Sequence, residues 1–255
     1  MLTRTAVAIG RLACFGSNAD NQLSVPSAIG DIVGVSAGGW HTCVIIATNR
    51  SVACFGIASS DGRLRVPTDI GPVLSVSSGG WHTCALTMAR TVRCWGNPAN
   101  DRTRVPGDIS LAAAAGQVVA ISAGQSHTCV LLANQTARCW GGNTDGELSL
   151  PPTLRVVWLA AGDRSTCAVT VNQTLVCVGL ISQAGRGPPP DLGPVAQVGA
   201  PKAAHNCIVS STGLPKCWGD SRYYTGVGSI GTVSTLAMGG EHVCTLTTAG
   251  QLRCF

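Results

Sequence analysis

Charge is scarce in this sequence. Only 11% of its 255 residues are Asp, Glu, Lys or Arg, and the formal net charge is a mild +5. No run of Lys or Arg forms the basic stripe with which proteins bind phosphate backbones, so nucleic acid is not expected as a partner. The 12 acidic residues fall mainly in turn segments, where Asp is a structural choice.

Long apolar runs are also missing. The longest candidate, LAAAAGQVVAI from Leu111, is shorter than the roughly 18 to 20 residues of a membrane span. The N-terminal stretch MLTRTAVAIGRLACFG does not show the basic, apolar and cleavage regions of a signal peptide in order. We interpret it as the second half of a repeat, and we expect any membrane attachment to come from segments outside this chain.

Helical periodicity and catalytic motifs are absent as well. Without a 3.6-residue period the helical solenoids are excluded. No nucleophile elbow, phosphate loop or pair of carboxylates stands out, and the adjacent Ser126 and His127 are the variation of a single repeat. The sequence therefore predicts no enzyme and no cofactor.

What the sequence does contain is a repeat. The phrase HTCALTMARTVRCWG at 82–96 recurs with variation at 41–56, 127–141, 165–179, 205–219 and 242–255, and its first cysteines are 37 to 45 residues apart. A seventh copy opens the chain, with Arg4 in place of the first cysteine and Cys14 as the second. Seven units of about 40 residues predict an all-β fold, a seven-bladed β-propeller. We expect one domain over 1–255, with incomplete first and last repeats.

Each unit contains short β-branched or aromatic segments separated by turn residues, which predicts paired strands. A turn ending in Val-Pro or Leu-Pro follows, as in DGRLRVP, and then a third apolar stretch such as VLSVSSGG. The Gly pair supplies the sharp turn back into the next phrase. The sixth copy lacks the Val-Pro ending, and the chain stops at Phe255 before a last turn and strand. We expect a piece of a longer protein, the alternative being a ring closed with fewer strands.

The two cysteines of each phrase are spaced for a disulfide. Cys84 and Cys94 lie symmetrically about Ala89, so they face each other across an antiparallel hairpin at about 4.5 to 5.5 Å, within disulfide reach. The same spacing, one residue longer in the first pair, predicts disulfides between Cys43 and Cys54, Cys129 and Cys139, Cys167 and Cys177, Cys207 and Cys217, and Cys244 and Cys254. Cys14 is left without a hairpin partner. Reduced core cysteines or a metal site are the alternatives.

Three Asn-x-Ser/Thr sequons, at Asn49, Asn134 and Asn172, occupy the midpoint between paired cysteines. A glycan at such a hairpin tip would be solvated. Asn is also a good turn former. Together with the disulfides, the sequons predict glycosylation at these three residues and an extracellular or secretory-pathway location.

The five histidines occupy one place, two residues before the first cysteine of each phrase: His41, His82, His127, His205 and His242. Neighbouring blades are about 10 Å apart, which is too far for two imidazoles to share a zinc with bonds of about 2 Å. We expect each histidine to hydrogen-bond the turn and predict no metal, although a site within one blade stays open.

The aromatic residues fall into two groups. Residues that follow the second cysteine are predicted to pack between blades: Phe15, Phe55, Trp95, Trp140, Trp218 and Phe255. Trp40 and Trp81 instead precede the histidine, at a position where the other copies have Ser126, Arg164, Ala204 and Glu241. A position that varies while its neighbours repeat is typical of a loop that contacts a ligand, and Trp and Arg commonly anchor interfaces. The predicted partner-binding residues are Trp40, Trp81, Ser126, Arg164 and Glu241.

The combination Ala-Gly-Gly-Trp-His-Thr-Cys, Cys-Trp-Gly and Asp-Gly-x-Leu-x-Val-Pro resembles the repeat of the regulator of chromosome condensation family, seven-bladed β-propellers, over essentially the whole chain. In size, in its Gly-x-Trp-His turns and in its Val-Pro endings the sequence is similar to the propeller-type β-lactamase inhibitor protein. In carrying two cysteines per repeat before Trp-Gly, it is similar to the extracellular domains of Crinkly-type plant receptor kinases.

The resemblance to the propeller-type β-lactamase inhibitor protein implies partner binding through loops on one face, at Trp40 and Trp81. The favoured hypothesis is a non-catalytic, monomeric, extracellular propeller that binds a protein or glycan, such as a receptor ectodomain. The founding member of the family binds chromatin and exchanges nucleotide on a small GTPase. The rival hypothesis is therefore an intracellular exchange-factor-like, chromatin- or GTPase-binding propeller with reduced cysteines.

Overall fold

The computed structural model describes residues 10–14, 16, 18–57, 60–110, 117–180, 188–200 and 205–255. The chain divides into two compact units, Met1–Ile121 and Ser122–Phe255. The single domain expected over 1–255 stays a prediction. Three residues of the predicted repeat pattern, Arg4, Phe15 and Ala204, lie outside the described residues.

The regular secondary structure of the described residues is almost entirely β-strand, in six sheets of three antiparallel strands whose order follows the chain. The first sheet comprises β1 (Ile32–Ala37), β2 (His41–Ile46) and β3 (Val52–Gly56); the second β4 (Val73–Ser78), β5 (His82–Thr87) and β6 (Val92–Gly96); the third β7 (Val118–Ala123), β8 (His127–Leu132) and β9 (Ala137–Gly141); the fourth β10 (Val156–Ala161), β11 (Ser165–Thr170) and β12 (Leu175–Gly179); the fifth β13 (Val195–Val198), β14 (His205–Ser210) and β15 (Pro215–Gly219); and the sixth β16 (Val233–Met238), β17 (Val243–Thr247) and β18 (Leu252–Cys254). The short helix α1 (Gly107–Ser110) and three 3₁₀ turns, Ala99–Asp101, Ser221–Tyr223 and Val227–Ser229, complete the described elements.

Each sheet has a turn end and a hairpin end. The turn end is where the first strand turns into the second, as at 38–40 and 79–81, and the hairpin end is the tip between the second and third strands, as at 47–51 and 88–91. The middle strand is paired on both sides and is the most buried; all six residues of β5 are buried. The prediction of an all-β chain of repeated, propeller-like blades is confirmed at this level.

The sheets have three strands, not the four typical of propeller blades. The segment that ends in Val-Pro folds as successive turns, in which Arg65 N donates to Gly62 O (2.9 Å) and Ile70 N to Pro67 O (3.3 Å). Since Pro67 has no amide hydrogen, it cannot continue a ladder there. A count of seven blades stays a prediction, because most of the first copy lies outside the described residues.

Backbone hydrogen bonds join consecutive sheets at both ends. In the first unit, Gly39 N donates to Gly79 O (3.1 Å) at the turn end, and Val73 N donates to Arg50 O (2.9 Å) at the hairpin end. In the second unit the same positions are joined by Gln125 N to Gly162 O (2.9 Å) and by Val156 N to Gln135 O (2.7 Å). The repeat of the sequence is therefore also a repeat of the contacts between neighbours.

These close approaches require glycine in the turn. A Cβ atom on Gly124 would overlap the carbonyl oxygen of Gly162 and would lie 2.6 Å from Cε1 of His127. Gly38 is equally confined, by Gly79 and His41. Neither position has a positive φ, so backbone conformation does not explain the glycine. Glycine is required because a neighbouring backbone and an imidazole pack directly against it.

Two of the aromatic residues after the second cysteine, Trp95 and Trp218, pack where predicted, between sheets. Trp95 of the second sheet lies in one apolar cluster with Ile45 of the first sheet and with Val73 and Ala85. In the second unit Trp218 packs with a cluster that includes Val169 of the preceding sheet. Burying such a side chain stabilises the fold by about 1.5–3 kcal/mol.

All six predicted disulfides are present, each between directly opposed residues of a middle and a third strand. Their Cα–Cα distances are 4.0–4.1 Å. The register explains this proximity, because Cys84 is aligned with Cys94 at a non-hydrogen-bonded pair of the ladder. Cys14 is the one free cysteine; it packs against the cluster around Phe55, and burial raises the pKa of its thiol.

Candidate functional site

The turn ends of the first two sheets bring Trp40 and Trp81 together. Their ring centroids are 4.5 Å apart with the planes inclined at 46°. The guanidinium carbon of Arg63 lies 5.5 Å from the Trp40 centroid and 5.0 Å from that of Trp81. A cation at this distance is attracted to both ring faces. We call these three residues the Trp–Arg cluster.

Arg63 is fixed from below. Only 3% of it is exposed, and its guanidinium forms a salt bridge with Asp61 that includes Nε bonds of 3.0 and 2.9 Å to the two carboxylate oxygens. Its Nη1 donates to the carbonyl of Gly80 (3.4 Å), and its own carbonyl accepts from the indole of Trp95 (3.1 Å). A buried charge needs such partners. Here they hold Arg63, against which the two indoles pack, in one position.

The local sequence explains this arrangement. In the turn Asp61-Gly62-Arg63, the carboxylate of Asp61 accepts from the backbone N of Arg63 (3.2 Å), and Gly62 adopts a φ of +80° that favours glycine. Trp40 is fixed at the other side by its carbonyl, which accepts from Ile57 N (3.0 Å). Both indoles remain partly exposed at the turn end.

In the second unit, the turn-end residues make different contacts. Arg164, at the repeat position of Trp81, forms a two-bond ion pair with Asp145, Nε to Oδ2 at 2.7 Å and Nη2 to Oδ1 at 2.8 Å. Ser126 lies partly buried at the third sheet's turn, and Glu241 is exposed at the sixth sheet's turn. Among the described residues, no hydrogen bond or ion pair joins Arg164 to Ser126 or Glu241. Within the first unit, the predicted partner-binding residues Trp40 and Trp81 are in contact with each other.

Two of the histidines, His41 and His127, bind across to the next repeat, so for these two the expectation that the side chain hydrogen-bonds the turn was wrong. His127 Nε2 lies 2.8 Å from Oγ1 of Thr166 in the following sheet. Because that hydroxyl donates to Glu147 O (2.8 Å), His127 must be the donor to it, which makes it the Nε2–H tautomer. The ring covers the turn glycine instead of bonding the turn, and its buried Nδ1 has no partner. Burial lowers the pKa of His127 from 6.5 to about 4.

His41 repeats the contact in the first unit, with Nε2 2.6 Å from Thr83 Oγ1. Its pKa is lowered from 6.5 to about 4, first by burial and then by the nearby positive charge of Arg63, with Asp61 opposing. Both imidazoles are therefore neutral at physiological pH. Among the residues that the structure describes, no group of three His, Cys, Asp or Glu side chains is placed to hold a metal ion.

Sequence reasoning missed Arg63, which was considered only as part of a turn. The sequence did contain a signal for this residue. Other repeats have Gln22, Arg102 and Glu147 at the position of Arg63, so the charge varies there just as the residue type varies at the position of Trp40 and Trp81. Arg102 and Glu147 are also buried. In the Trp–Arg cluster, these two variable positions meet at the turn end.

A concave feature lies at the hairpin end of the first unit. This shallow groove of about 380 Å³ is lined by Asn49, Ser51, Val52, Val66, Pro67, Thr68, Ile70, Gly71 and Pro72. It is open and contains no charged group, and it lies at the opposite end of the sheets from the Trp–Arg cluster. Over the described ranges, no helix has the length and hydropathy to cross a membrane.

Comparison with known proteins supports the predicted resemblance. Residues 73–102 and 118–147 match the regulator of chromosome condensation (RCC1) repeat. No curated protein sequence matches the chain. The resemblance to RCC1-like propellers, predicted from the repeat, is confirmed by this match together with the structural similarities.

The fold is similar to that of plant receptor kinase ectodomains. The ectodomain of the Physcomitrella patens receptor kinase CR4 has 25% sequence identity and a TM-score of 0.74, over 95% of this chain and 66% of that one. This chain thus spans slightly less than two thirds of that ectodomain. The CRINKLY WD40 ectodomain of the Arabidopsis thaliana receptor kinase ACR4 has 24% identity and a TM-score of 0.73, over 94% and 86%. Prp20p from Saccharomyces cerevisiae has 14% identity and a TM-score of 0.70, over 91% and 76%.

Proposed function

We propose that this chain is a non-catalytic extracellular binding module that recognises a protein partner through the Trp–Arg cluster at the turn end. The observation that carries the proposal is the pair of partly exposed indoles fixed over a buried, ion-paired Arg63. Aromatic side chains held in one conformation lose little entropy on binding, which is why they anchor interfaces.

The extracellular part of the proposal is supported by the disulfides. Twelve of thirteen cysteines are paired within their own sheets, a density typical of secreted proteins and rare in the cytosol. The similarity to two receptor kinase ectodomains points in the same direction. A receptor ectodomain is the specific form of the proposal.

The rival function is intracellular. Prp20p, whose structure was described together with its binding to Gsp1p and histones, has a similar fold, and this chain could be a GTPase- or chromatin-binding propeller with reduced thiols. A count of thiols on the denatured natural protein separates the two. The proposal expects about one thiol, that of Cys14, and the rival expects thirteen.

Binding is tested by capturing partners from extracellular extract with the wild-type chain and with a Trp40→Ala, Trp81→Ala double variant. A tryptophan at the hot spot of an interface contributes about 2 kcal/mol or more, which is roughly 30-fold in affinity, so the double variant should lose affinity by at least about that factor. Capture of the same partner with unchanged affinity would show that the Trp–Arg cluster is not the binding surface.

Two further variants separate loss of binding from loss of fold. Met88→Ala removes an exposed apolar side chain from the hairpin end of the same sheet as Trp81 and should leave binding unchanged. Trp81→Phe keeps an aromatic face over Arg63 and should retain more binding than Trp81→Ala. Circular dichroism of each variant checks that the sheets are intact.

A further inference from the structure

The three sequons share one structural position. Asn49, Asn134 and Asn172 are all exposed at the hairpin ends of the first, third and fourth sheets. In each, the following residue has a left-handed backbone: φ is +59° at Arg50, +68° at Gln135 and +61° at Gln173. The left-handed residue completes the tight turn between the two strands, and the exposed asparagine before it lies within that turn.

The asparagine side chains lie above the tip and not in the core. Oδ1 of Asn49 accepts from the backbone N of Ser51 at 3.0 Å. Oδ1 of Asn134 accepts from both the backbone N and the hydroxyl of Thr136, at 3.1 and 2.7 Å. At these two sites the third residue of the sequon thus contacts the asparagine itself. At all three sites the strands on both sides are joined by a disulfide. A sugar attached here would meet solvent and disturb no packing.

We infer that the hairpin ends of the first, third and fourth sheets carry N-linked glycans at Asn49, Asn134 and Asn172. The inference rests on the proposed extracellular location. The donor is an oligosaccharide linked to a polyprenyl diphosphate. Nδ2 of asparagine forms a bond to the anomeric carbon and loses one proton, while the bond from that carbon to the diphosphate oxygen breaks and the diphosphate leaves with the electron pair.

The glycans have a consequence for recognition. Asn49 lines the shallow groove at the hairpin end of the first unit, so a sugar there would stand at the mouth of that groove. The Trp–Arg cluster lies at the other end of the same sheets, and no sequon is found among the turns at 38–40 and 79–81. Within the first unit, glycosylation therefore leaves the turn end as the accessible surface for a protein partner.

The test is the intact mass of the chain secreted from eukaryotic cells behind a secretory leader, before and after treatment with peptide-N-glycosidase. Three removable increments are expected. Each of Asn49→Gln, Asn134→Gln and Asn172→Gln should remove one increment, and a single variant without effect would refute the assignment at that residue.

The second sheet provides a matched gain-of-site control. Its tip, Ala89-Arg90-Thr91, has no sequon, but Ala89 is exposed and Arg90 has the same left-handed φ of +63°. Ala89→Asn completes a sequon on the same backbone, so a fourth increment is expected.

The thiol count separates the two possible failures. A secreted chain with about one thiol but no removable mass would overturn the glycan inference and leave the proposed function intact. A natural protein with thirteen reduced thiols would overturn the extracellular assignment and the glycan inference with it.

Discussion

Lowering the pH from 7 to 5 should destabilise the protein through His41 and His127. Each has a pKa of about 4 in the folded chain, against 6.5 as the ordinary value expected after unfolding. The unfolded state therefore binds the proton first as the pH falls, and stability that is complete above pH 6.5 is lost progressively down to about pH 4. For each histidine, this pKa difference lowers the free energy of unfolding by about 3 kcal/mol once the pH is below about 4. At pH 5 the loss is roughly 2 kcal/mol.

Urea unfolding followed by tryptophan fluorescence at pH 7, 6 and 5 measures this loss. The His127→Gln variant keeps an N–H donor for Thr166 but cannot titrate, so its free energy of unfolding should fall by about 2 kcal/mol less than that of wild type over the same range. His242→Gln, at an exposed histidine, is the matched control and should keep the wild-type slope. A His127→Gln variant with the wild-type pH dependence would refute the assignment of a buried neutral imidazole.

Two further predictions concern stability. The Cys167→Ser, Cys177→Ser double variant opens one disulfide loop with a sequence separation of 10, and on the loop-entropy argument the free energy of unfolding should fall by about 3 kcal/mol; an unchanged urea midpoint would contradict this. Gly124→Ala should lower the free energy of unfolding by about 1–3 kcal/mol, because the new Cβ would overlap the carbonyl oxygen of Gly162. The control Gly107→Ala should lower it by less than about 1 kcal/mol, because a Cβ there meets nothing within 4 Å. Equal thermal midpoints of the two variants would show that the turn at Gly124 can relax.

Much of the fold could be predicted from the sequence because the repeat encodes contacts between adjacent strands. The spacing of Cys84 and Cys94 about a central residue fixes the hairpin register, and register fixes which side chains oppose each other. The number of strands per sheet was less accessible, since segments such as 60–70 are held by turn hydrogen bonds that leave no periodic pattern. Composition could not distinguish a turn from a short edge strand there.

The candidate site could be predicted only in part. The repeat position of Trp40 and Trp81 placed both residues at neighbouring turns, and the structure brings their rings into contact. The hydrogen-bond partners of His41 and His127 were missed. The sequence pattern gives the position of a residue within its own repeat but does not show which residues of the next repeat it contacts. Thr166 follows the turn of its own repeat in sequence. Its hydroxyl nevertheless accepts a hydrogen bond from His127 of the preceding repeat and donates one to the carbonyl of Glu147. Arg63 was missed for the same reason.

The disulfides are all local, with sequence separations of only 10 or 11 residues. In an oxidising compartment, each disulfide can thus form as soon as its own hairpin has emerged, before the next cysteine pair has been synthesised. Sequential oxidation of this kind yields the native pairing without reshuffling between distant thiols. Cys14, which has no hairpin partner, is the exception, and in the folded chain it is partly buried against the cluster around Phe55.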